Sequence, residues 1–304
     1  NFSEIYSPYL PAAKQGETAH RYVLGLYHIM NELTTRFPEI LFEGCSSGGN
    51  RFDLGILSYF PQIWASDNTD ALCRTGIQNS YSYGYPLSVF TAHVSSCPNH
   101  QTLRITPLET RFQVASFGVL GYECNLKDLS GSDLNAIREQ IAFYKKWRDV
   151  FQFGSFYRGA ENEASDSETL SWTCVSPDGR RAVGLFFRRL TVPNQSHDWY
   201  RPVGLLPDVK YHFYGRNIKY NLKDFGDLVN TVSPIHIKQG SALQEILSRF
   251  VNMDGEKEDL TAYGDTLMRA GIALKPAFAG TGYNSDTRLF PDFSSRIYFM
   301  EAVE

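Results

Sequence analysis

The sequence predicts an α/β region followed by an all-β region: part of a (β/α)8 barrel, then an antiparallel β-sandwich. In the first half, short apolar strands alternate with helical segments, the order that builds a parallel sheet. Beyond about Tyr157, strands follow one another across turn sequences such as Pro177-Asp178-Gly179. We therefore expect a barrel part over residues 1–157 and a sandwich domain over residues 158–304.

The first predicted helix covers residues 15–37, and Pro38 ends it. Its apolar residues recur at spacings of three and four, as on one face of a helix: Val23, Leu26, Tyr27, Met30 and Leu33. The apolar run Ile40-Leu41-Phe42 follows and predicts a buried strand bounded by Gly44.

The first half then repeats this strand and helix order. Further strands are expected at residues 62–65, 87–94 and 122–124. Helices are expected near residues 54–60, from an N-cap at Thr69 to about residue 81, over residues 107–120, and from Ser130 or Ser132 to Gly154. Only about four of the eight strands of a closed barrel are predicted.

The second half is predicted as strands at residues 170–175, 182–187, 209–214 and 294–303. No basic tract occurs and the net charge is −4, so neither nucleic acid nor an anionic membrane surface is an expected partner. The five cysteines form no disulfide framework, which favours a reducing compartment such as the cytoplasm.

Several motifs resemble glycoside hydrolase family 36, the retaining α-galactosidases. They span most of the chain: residues 42–53 (FEGCSSGGNRFD), 61–70 (PQIWASDNTD), 92–94 (AHV), 98–102 (PNHQT), 106–111 (TPLETR) and 276–283 (PAFAGTGY). The family has a longer glycine run after the cysteine, where this chain has Ser47 and Asn50.

The resemblance implies the C-terminal part of a catalytic barrel followed by a C-terminal β-sandwich. It implies hydrolysis of terminal α-linked galactose from oligosaccharides such as melibiose and raffinose, with no cofactor and no metal. A homo-oligomer is expected. In the family the nucleophile lies in a Lys-Trp-Asp-Met-Asn-Arg string on an earlier strand, so we expect it upstream of Asn1, together with barrel strands that this region needs.

Asp67 is the candidate catalytic residue of this chain. It stands at a predicted strand end beside Trp64, where burial would favour a protonated carboxyl group, and retaining glycosidases need one acid/base carboxyl. By resemblance it is that acid/base; the alternative is a carboxylate that caps the following helix. The candidate substrate-binding residues are Cys45, Ser46, Gly48, Arg51 and Trp64.

Some candidates have a plain structural alternative. Cys45 resembles the sugar-contacting cysteine of the family, but a small buried hydrophobe is the other reading. Trp64 is nearly as compatible with a core position. Asp53 is interpreted as a salt-bridged structural residue and Asp70 as a carboxylate of the first helical turn.

The same residues leave other functions open. Gly44-Cys45-Ser46-Ser47-Gly48 matches the nucleophile elbow of α/β-hydrolases, without a matching histidine. His93, Cys97 and His100 have a ligand-like spacing but lack a fourth ligand. A galactosyltransferase of the raffinose-synthase type and a non-catalytic sugar-binding or assembly segment remain the alternative functions.

Overall fold

The computed structural model describes residues 5–160, 168–193, 197–231, 233–278, 284 and 286–303. Its first half has, in chain order, α1 (Gln15–Arg36), β1 (Glu43–Gly44), α2 (Ser46–Gly49), α3 (Leu54–Leu57), β2 (Gln62–Trp64), α4 (Ala71–Tyr81), β3 (Phe90–Ser95), α5 (Leu108–Ser116), β4 (Val119–Glu123) and α6 (Gly131–Phe153). The four strands form one parallel sheet in the order β1-β2-β3-β4.

The second half contains β5 (Ser155–Arg158), β6 (Thr169–Val175), β7 (Arg181–Arg188), β8 (Trp199–Tyr200), β9 (Lys210–Gly215), β10 (Lys219–Asn221), α7 (Ala242–Leu247), β11 (Asn252–Asp254), β12 (Asp259–Tyr263), α8 (Gly264–Arg269), β13 (Ile272–Ala273) and β14 (Ser294–Ala302). A six-stranded antiparallel sheet has the order β12-β9-β14-β7-β6-β5, and β10-β11 and β13-β8 are two-stranded. The predicted order of a βα region before a sandwich is confirmed.

The large antiparallel sheet is covered on both faces. Side chains alternate between faces along a strand, and Trp172, Leu185 and Phe299 pack into a core shared with α5 and α6. Their neighbours Phe186 and Tyr298 pack into a second core with the β8–β13 side. The sheet therefore joins the helices of the first half to the small sheets of the second.

Two helices begin or end where the local sequence predicts. Ser130 caps α6 in a capping box with Asp133, as one of the two predicted starts requires. Helix α1 matches the predicted range and ends at Arg36, just before Pro38. On the predicted apolar stripe Met30 is buried, but Val23 is 40% exposed.

Two strand predictions were displaced. The run Ile40-Leu41-Phe42 is not a buried strand: Ile40 closes a turn by donating to the Phe37 carbonyl, and Ile40 and Leu41 are exposed. The strand β1 begins at Glu43 instead. The segment Leu87–Val89 is a 3-10 turn after Pro86, and β3 begins only at Phe90.

Two helix predictions were also wrong in their bounds. Helix α5 ends at Ser116, because Phe117 leaves the helical conformation with a ψ of 53°. Gly118 then packs against β3 so closely that a Cβ would lie 2.9 Å from the Cβ of Ala92. Residues 119–120 belong to β4. Helix α4 is capped by Asp70, not Thr69, whose hydroxyl accepts from Asn99 Nδ2.

No helix in the described part of the chain has the length and apolar character of a membrane span. All five cysteines are free thiols.

Candidate active site

Asp67 lies just beyond the carboxyl end of β2. The indole Nε1–H of Trp64 donates to its Oδ1 at 2.8 Å, and the residue as a whole is exposed. The expected burial of Asp67 is therefore wrong, although its contact with Trp64 is present. The alternative role as a helix cap is also excluded, because Asp70 caps α4. Asp67 is thus left as an oriented, accessible carboxyl group.

A loop with an unusual backbone packs directly against Asp67. Ser46, Ser47, Gly48 and Gly49 have φ values of 55°, 56°, 73° and 88° in succession, so α2 is a left-handed turn. A Cβ on Gly48 would lie 2.8 Å from the backbone nitrogen of Asp67, and one on Gly49 would lie 2.4 Å from the Ala65 carbonyl oxygen. The two glycines are required by this close approach.

The two departures from the family glycine run differ in structural effect. Ser47 has a left-handed φ of 56°, a conformation that costs a residue with a Cβ roughly 1–2 kcal/mol. Asn50 has a φ of −61°, which any residue adopts, and its Nδ2 donates to the Ser47 carbonyl. Of these two departures, only Ser47 therefore stands where glycine is the favoured residue.

The remaining substrate-binding candidates lie on the same loop. Cys45 is exposed, and its carbonyl accepts from the Gly49 N–H at 3.0 Å. Arg51 donates to the Ser46 hydroxyl at 3.0 Å and to the Tyr22 hydroxyl at 2.8 Å. Arg51 thereby ties the loop to α1. The structure brings Cys45, Ser46, Gly48 and Trp64 to the strand end that carries Asp67.

Trp64 is buried and packs against two polar side chains, His93 and Arg74. Its ring stacks on His93, with ring centroids 4.4 Å apart, and the guanidinium carbon of Arg74 lies 4.9 Å from its centroid. His93 Nδ1 is 3.1 Å from Glu123 Oε2. These contacts fix the plane of the indole ring, and so the direction of the N–H that Asp67 accepts.

Asp53 and Asp70 have structural roles. Asp53 caps α3 by accepting from the Ile56 N–H at 3.0 Å. Its predicted salt bridge is wrong, since no ion pair of Asp53 occurs among the residues that the structure describes. Asp70 is 1% exposed, accepts from the Cys73 N–H and pairs with Arg104. Burial, reinforced by Asp70, raises the pKa of the Cys73 thiol.

Arg74, which contacts Trp64 from α4, was not among the predicted site residues. The signal in the sequence was the helical spacing of Ala71, Arg74, Thr75 and Gln78, and the structure shows that this helix face is buried. A run of polar residues on the inward face of a helix indicates partners in the sheet below it. The sequence does not show that the partner of Arg74 is an indole ring.

The two rival chemistries receive no support. The Ser46 hydroxyl accepts from Arg51, a donor that cannot take its proton, and the left-handed turn that follows is not the helix of a nucleophile elbow. In the described ranges no group of histidine, cysteine and acidic side chains could hold a metal ion. The motif at 276–283 lies mostly outside the described residues.

Comparison with known proteins matches both halves of the chain. Residues 1–154 match the family model described as Melibiase, and residues 169–300 match the one described as Glycosyl hydrolase family 36 C-terminal domain. Alpha-galactosidase 1 of Pediococcus pentosaceus is 48% identical over 211 residues, which are 69% of this chain and 28% of that protein. Alpha-galactosidase AgaA of Geobacillus stearothermophilus is 44% identical over 218 residues, 72% of this chain and 30% of that protein.

Solved structures extend the match to nearly the whole chain. The α-galactosidase from Lactobacillus brevis superposes with a TM-score of 0.77 at 35% identity, covering 99% of this chain and 34% of that one. A variant of AgaA from G. stearothermophilus in complex with raffinose superposes with a TM-score of 0.74 at 37% identity, again covering 99% and 34%. The chain spans less than a third of the length of the P. pentosaceus and G. stearothermophilus curated relatives described above.

Proposed function

Because the chain belongs to glycoside hydrolase family 36, with a melibiase region followed by the C-terminal domain of that family, we propose that the whole protein is a retaining α-galactosidase. Its substrates would be oligosaccharides that end in α-linked galactose, such as raffinose and melibiose. The relatives that support this proposal carry the α-galactosidase name, and the AgaA structures include complexes with raffinose and stachyose. Asp67 is the acid/base in this proposal.

The observation that carries the assignment is the environment of the Asp67 carboxyl group. The Trp64 N–H occupies Oδ1, while Oδ2 accepts no hydrogen bond from any described residue. An acid/base group needs an oxygen that is accessible and held in a fixed direction toward the substrate. Asp53 and Asp70 lack this freedom because each caps a helix.

The reaction follows the double displacement of retaining glycosidases. A nucleophilic carboxylate, which we assign to a segment of the protein outside residues 1–304, attacks the anomeric carbon. The glycosidic C–O bond breaks as Asp67 transfers its proton from Oδ2 to the leaving oxygen. Asp67 then takes a proton from water, the water oxygen bonds to the anomeric carbon, and the nucleophile leaves as a carboxylate.

The loop of residues 45–51 is proposed to form the wall of the galactose site. Cys45 is exposed beside the strand end and can contact the sugar through its thiol and neighbouring backbone. Ser46, Gly48 and Arg51 shape this wall. Trp64 acts from beneath, through its hydrogen bond to Asp67.

The remaining assignments rest on the sequence. We propose a division near residue 157 between the barrel part and the sandwich, close to the point where β5 joins the antiparallel sheet. A cytoplasmic location agrees with the five free thiols. A homo-oligomer is the expected assembly.

The test uses the full-length protein and its Asp67→Ala variant. For raffinose, kcat/KM should fall by about 10²–10⁴-fold, because the leaving group is the alcohol oxygen of sucrose, which needs a proton. For 2,4-dinitrophenyl α-galactoside it should stay within a few-fold of the parent value. Azide should raise kcat of the variant and yield galactosyl azide of retained configuration.

Asp53→Ala is the matched control. It removes a helix cap, so it should lower the free energy of unfolding by about 1 kcal/mol and leave both kcat/KM values unchanged. An Asp67→Ala variant that loses the same factor on both substrates would remove Asp67 from the acid/base role. A parent protein inactive on both would refute the proposed activity.

A further inference from the structure

Arg74 is a buried cation with no carboxylate partner in the described part of the chain. It is 2% exposed, and its hydrogen bonds go to two backbone carbonyls, those of Ser66 and Thr91. Its Nε–H has no hydrogen-bond partner among the residues that the structure describes. Burial lowers its pKa to about 10, so the group stays charged at neutral pH. Burying an unpaired charge is costly, which calls for a compensating role.

Two of the contacts of Arg74 lead toward Asp67, and a third ties it to the neighbouring strand. The Ser66 carbonyl, 3.3 Å from Nη1, belongs to the peptide bond that ends at the Asp67 nitrogen. The Thr91 carbonyl, 2.5 Å from Nη2, is on the neighbouring strand β3. The guanidinium also lies over the ring of Trp64, whose N–H holds Asp67 Oδ1.

A structural tie between β2 and β3 would explain only part of this arrangement. Other side chains already link these strands, including the Thr91 hydroxyl, which donates to the Ile63 carbonyl. A neutral amide would serve two carbonyl acceptors at lower desolvation cost. A planar cation over an indole ring, in contrast, fixes the ring and polarises its N–H toward a carboxylate.

We propose that Arg74 is a positioning residue for Asp67. By holding the Trp64 ring and the Ser66–Asp67 peptide together, it keeps Oδ1 engaged by the indole N–H. The proton in transit is then confined to Oδ2, the oxygen that the indole does not occupy. This inference rests on the proposed α-galactosidase function and extends it to a residue that does not touch the sugar.

The experiment measures kcat/KM of full-length Arg74→Met on raffinose and on 2,4-dinitrophenyl α-galactoside. Misplacing an acid by about 1 Å costs about 100-fold, so the raffinose value should fall by about that factor. The aryl substrate needs no proton in its first step and should change by less than about threefold. A fall of equal size on both substrates would overturn the proposal, and so would no fall on either.

Two further variants test the route through Trp64. Trp64→Phe removes the indole N–H and should show the same selective loss. The double variant Arg74→Met/Trp64→Phe should be little worse than either single variant, because both remove one connected interaction. Additive losses would contradict action through Trp64. If Arg74→Met does not fold, Arg74→Lys takes its place; it keeps the charge but not the planar contact, so the selective loss should persist.

Arg181→Met is the matched control, because Arg181 also lies over a tryptophan, with its guanidinium carbon 5.5 Å from the centroid of Trp147. Trp147 is on α6, far along the chain from the Asp67 loop. Both kcat/KM values should stay at the parent level in this control. A parent enzyme inactive on both substrates would instead refute the proposed function, and the positioning role with it.

Discussion

The two sheets of this protein bury arginine side chains with different partners. In the antiparallel sheet region, Arg188 and Arg288 share the carboxylate of Asp198, and Arg296 pairs with Glu256. At the end of the parallel sheet, Arg74 has two carbonyls and an indole ring. In the antiparallel region, carboxylates compensate the charges of the buried arginines. At the end of the parallel sheet, Arg74 instead contacts the groups that hold Asp67.

The two regions also differ in the regularity of their backbones. Strands β7 and β14 pair in an unbroken register of eight residue pairs, from Ser294↔Arg188 to Glu301↔Arg181. The loop beside Asp67 instead contains two serines with left-handed φ. Two of the four non-glycine residues with a left-handed φ in the described ranges, together with the buried Arg74, thus lie where the chemistry is proposed. Changes there should act on rate, whereas changes in the antiparallel region should act on stability.

The largest expected effect is on stability, in Asp198→Asn. The change leaves Arg188 and Arg288 buried without this shared carboxylate, and breaking such a network costs about 3–5 kcal/mol. Urea unfolding of the full-length protein should show the loss, while the folded fraction keeps its kcat/KM. Asp149→Asn, which breaks the exposed pair with Arg181, is the control and should cost less than about 1 kcal/mol. A selective loss of rate with raffinose in Asp198→Asn would erase the contrast between the regions.

A smaller effect, on rate, is expected for Gly48→Ala. The new Cβ would lie 2.8 Å from the Asp67 nitrogen, so Asp67 must shift. We expect kcat/KM for raffinose to fall by about 100-fold, with about 1–2 kcal/mol of lost stability from the left-handed φ.

Gly76→Ala on α4 is the control for that glycine. A Cβ there meets nothing within 4 Å. The substitution should stabilise the protein by roughly 0.5–1 kcal/mol and leave the rate unchanged. Equal rates in the two alanine variants would show that the loop does not position Asp67.

The smallest effect is a gain, in Ser47→Gly. Relief of the left-handed φ outweighs the added chain entropy of glycine, so the free energy of unfolding should rise by about 0.5–1 kcal/mol. Asn50→Gly relieves no strain, since its φ is −61°, and should lose about the same amount. Thermal unfolding of both variants measures the difference. A loss in both would mean that Ser47 is not strained.

Much of the fold was predictable because its signals are local. The apolar stripe and Pro38 located α1 to within one residue, and the serine before α6 located its start. The long strands β6, β7, β9 and β14 were found from their composition. The three-residue strand β2 was found as well, but the other second-half strands, of two to five residues, were missed because such short segments carry little periodic pattern. The strand β1 was misplaced because an apolar run does not by itself show where the chain turns.

The sequence by itself determined the alternation of strands and helices in the first half, the long strands of the second half, the family resemblance and the position of Asp67 at a strand end, since each depends on neighbouring residues. Only the tertiary structure decided that Asp67 is exposed, that Gly48 packs on it, and that Arg74 lies over Trp64. These facts depend on which surfaces meet when β2, α4 and the 45–50 loop pack together. That Arg74 has no carboxylate beside it among the described residues can be seen only after this packing, because residues far apart in the sequence can be neighbours in space.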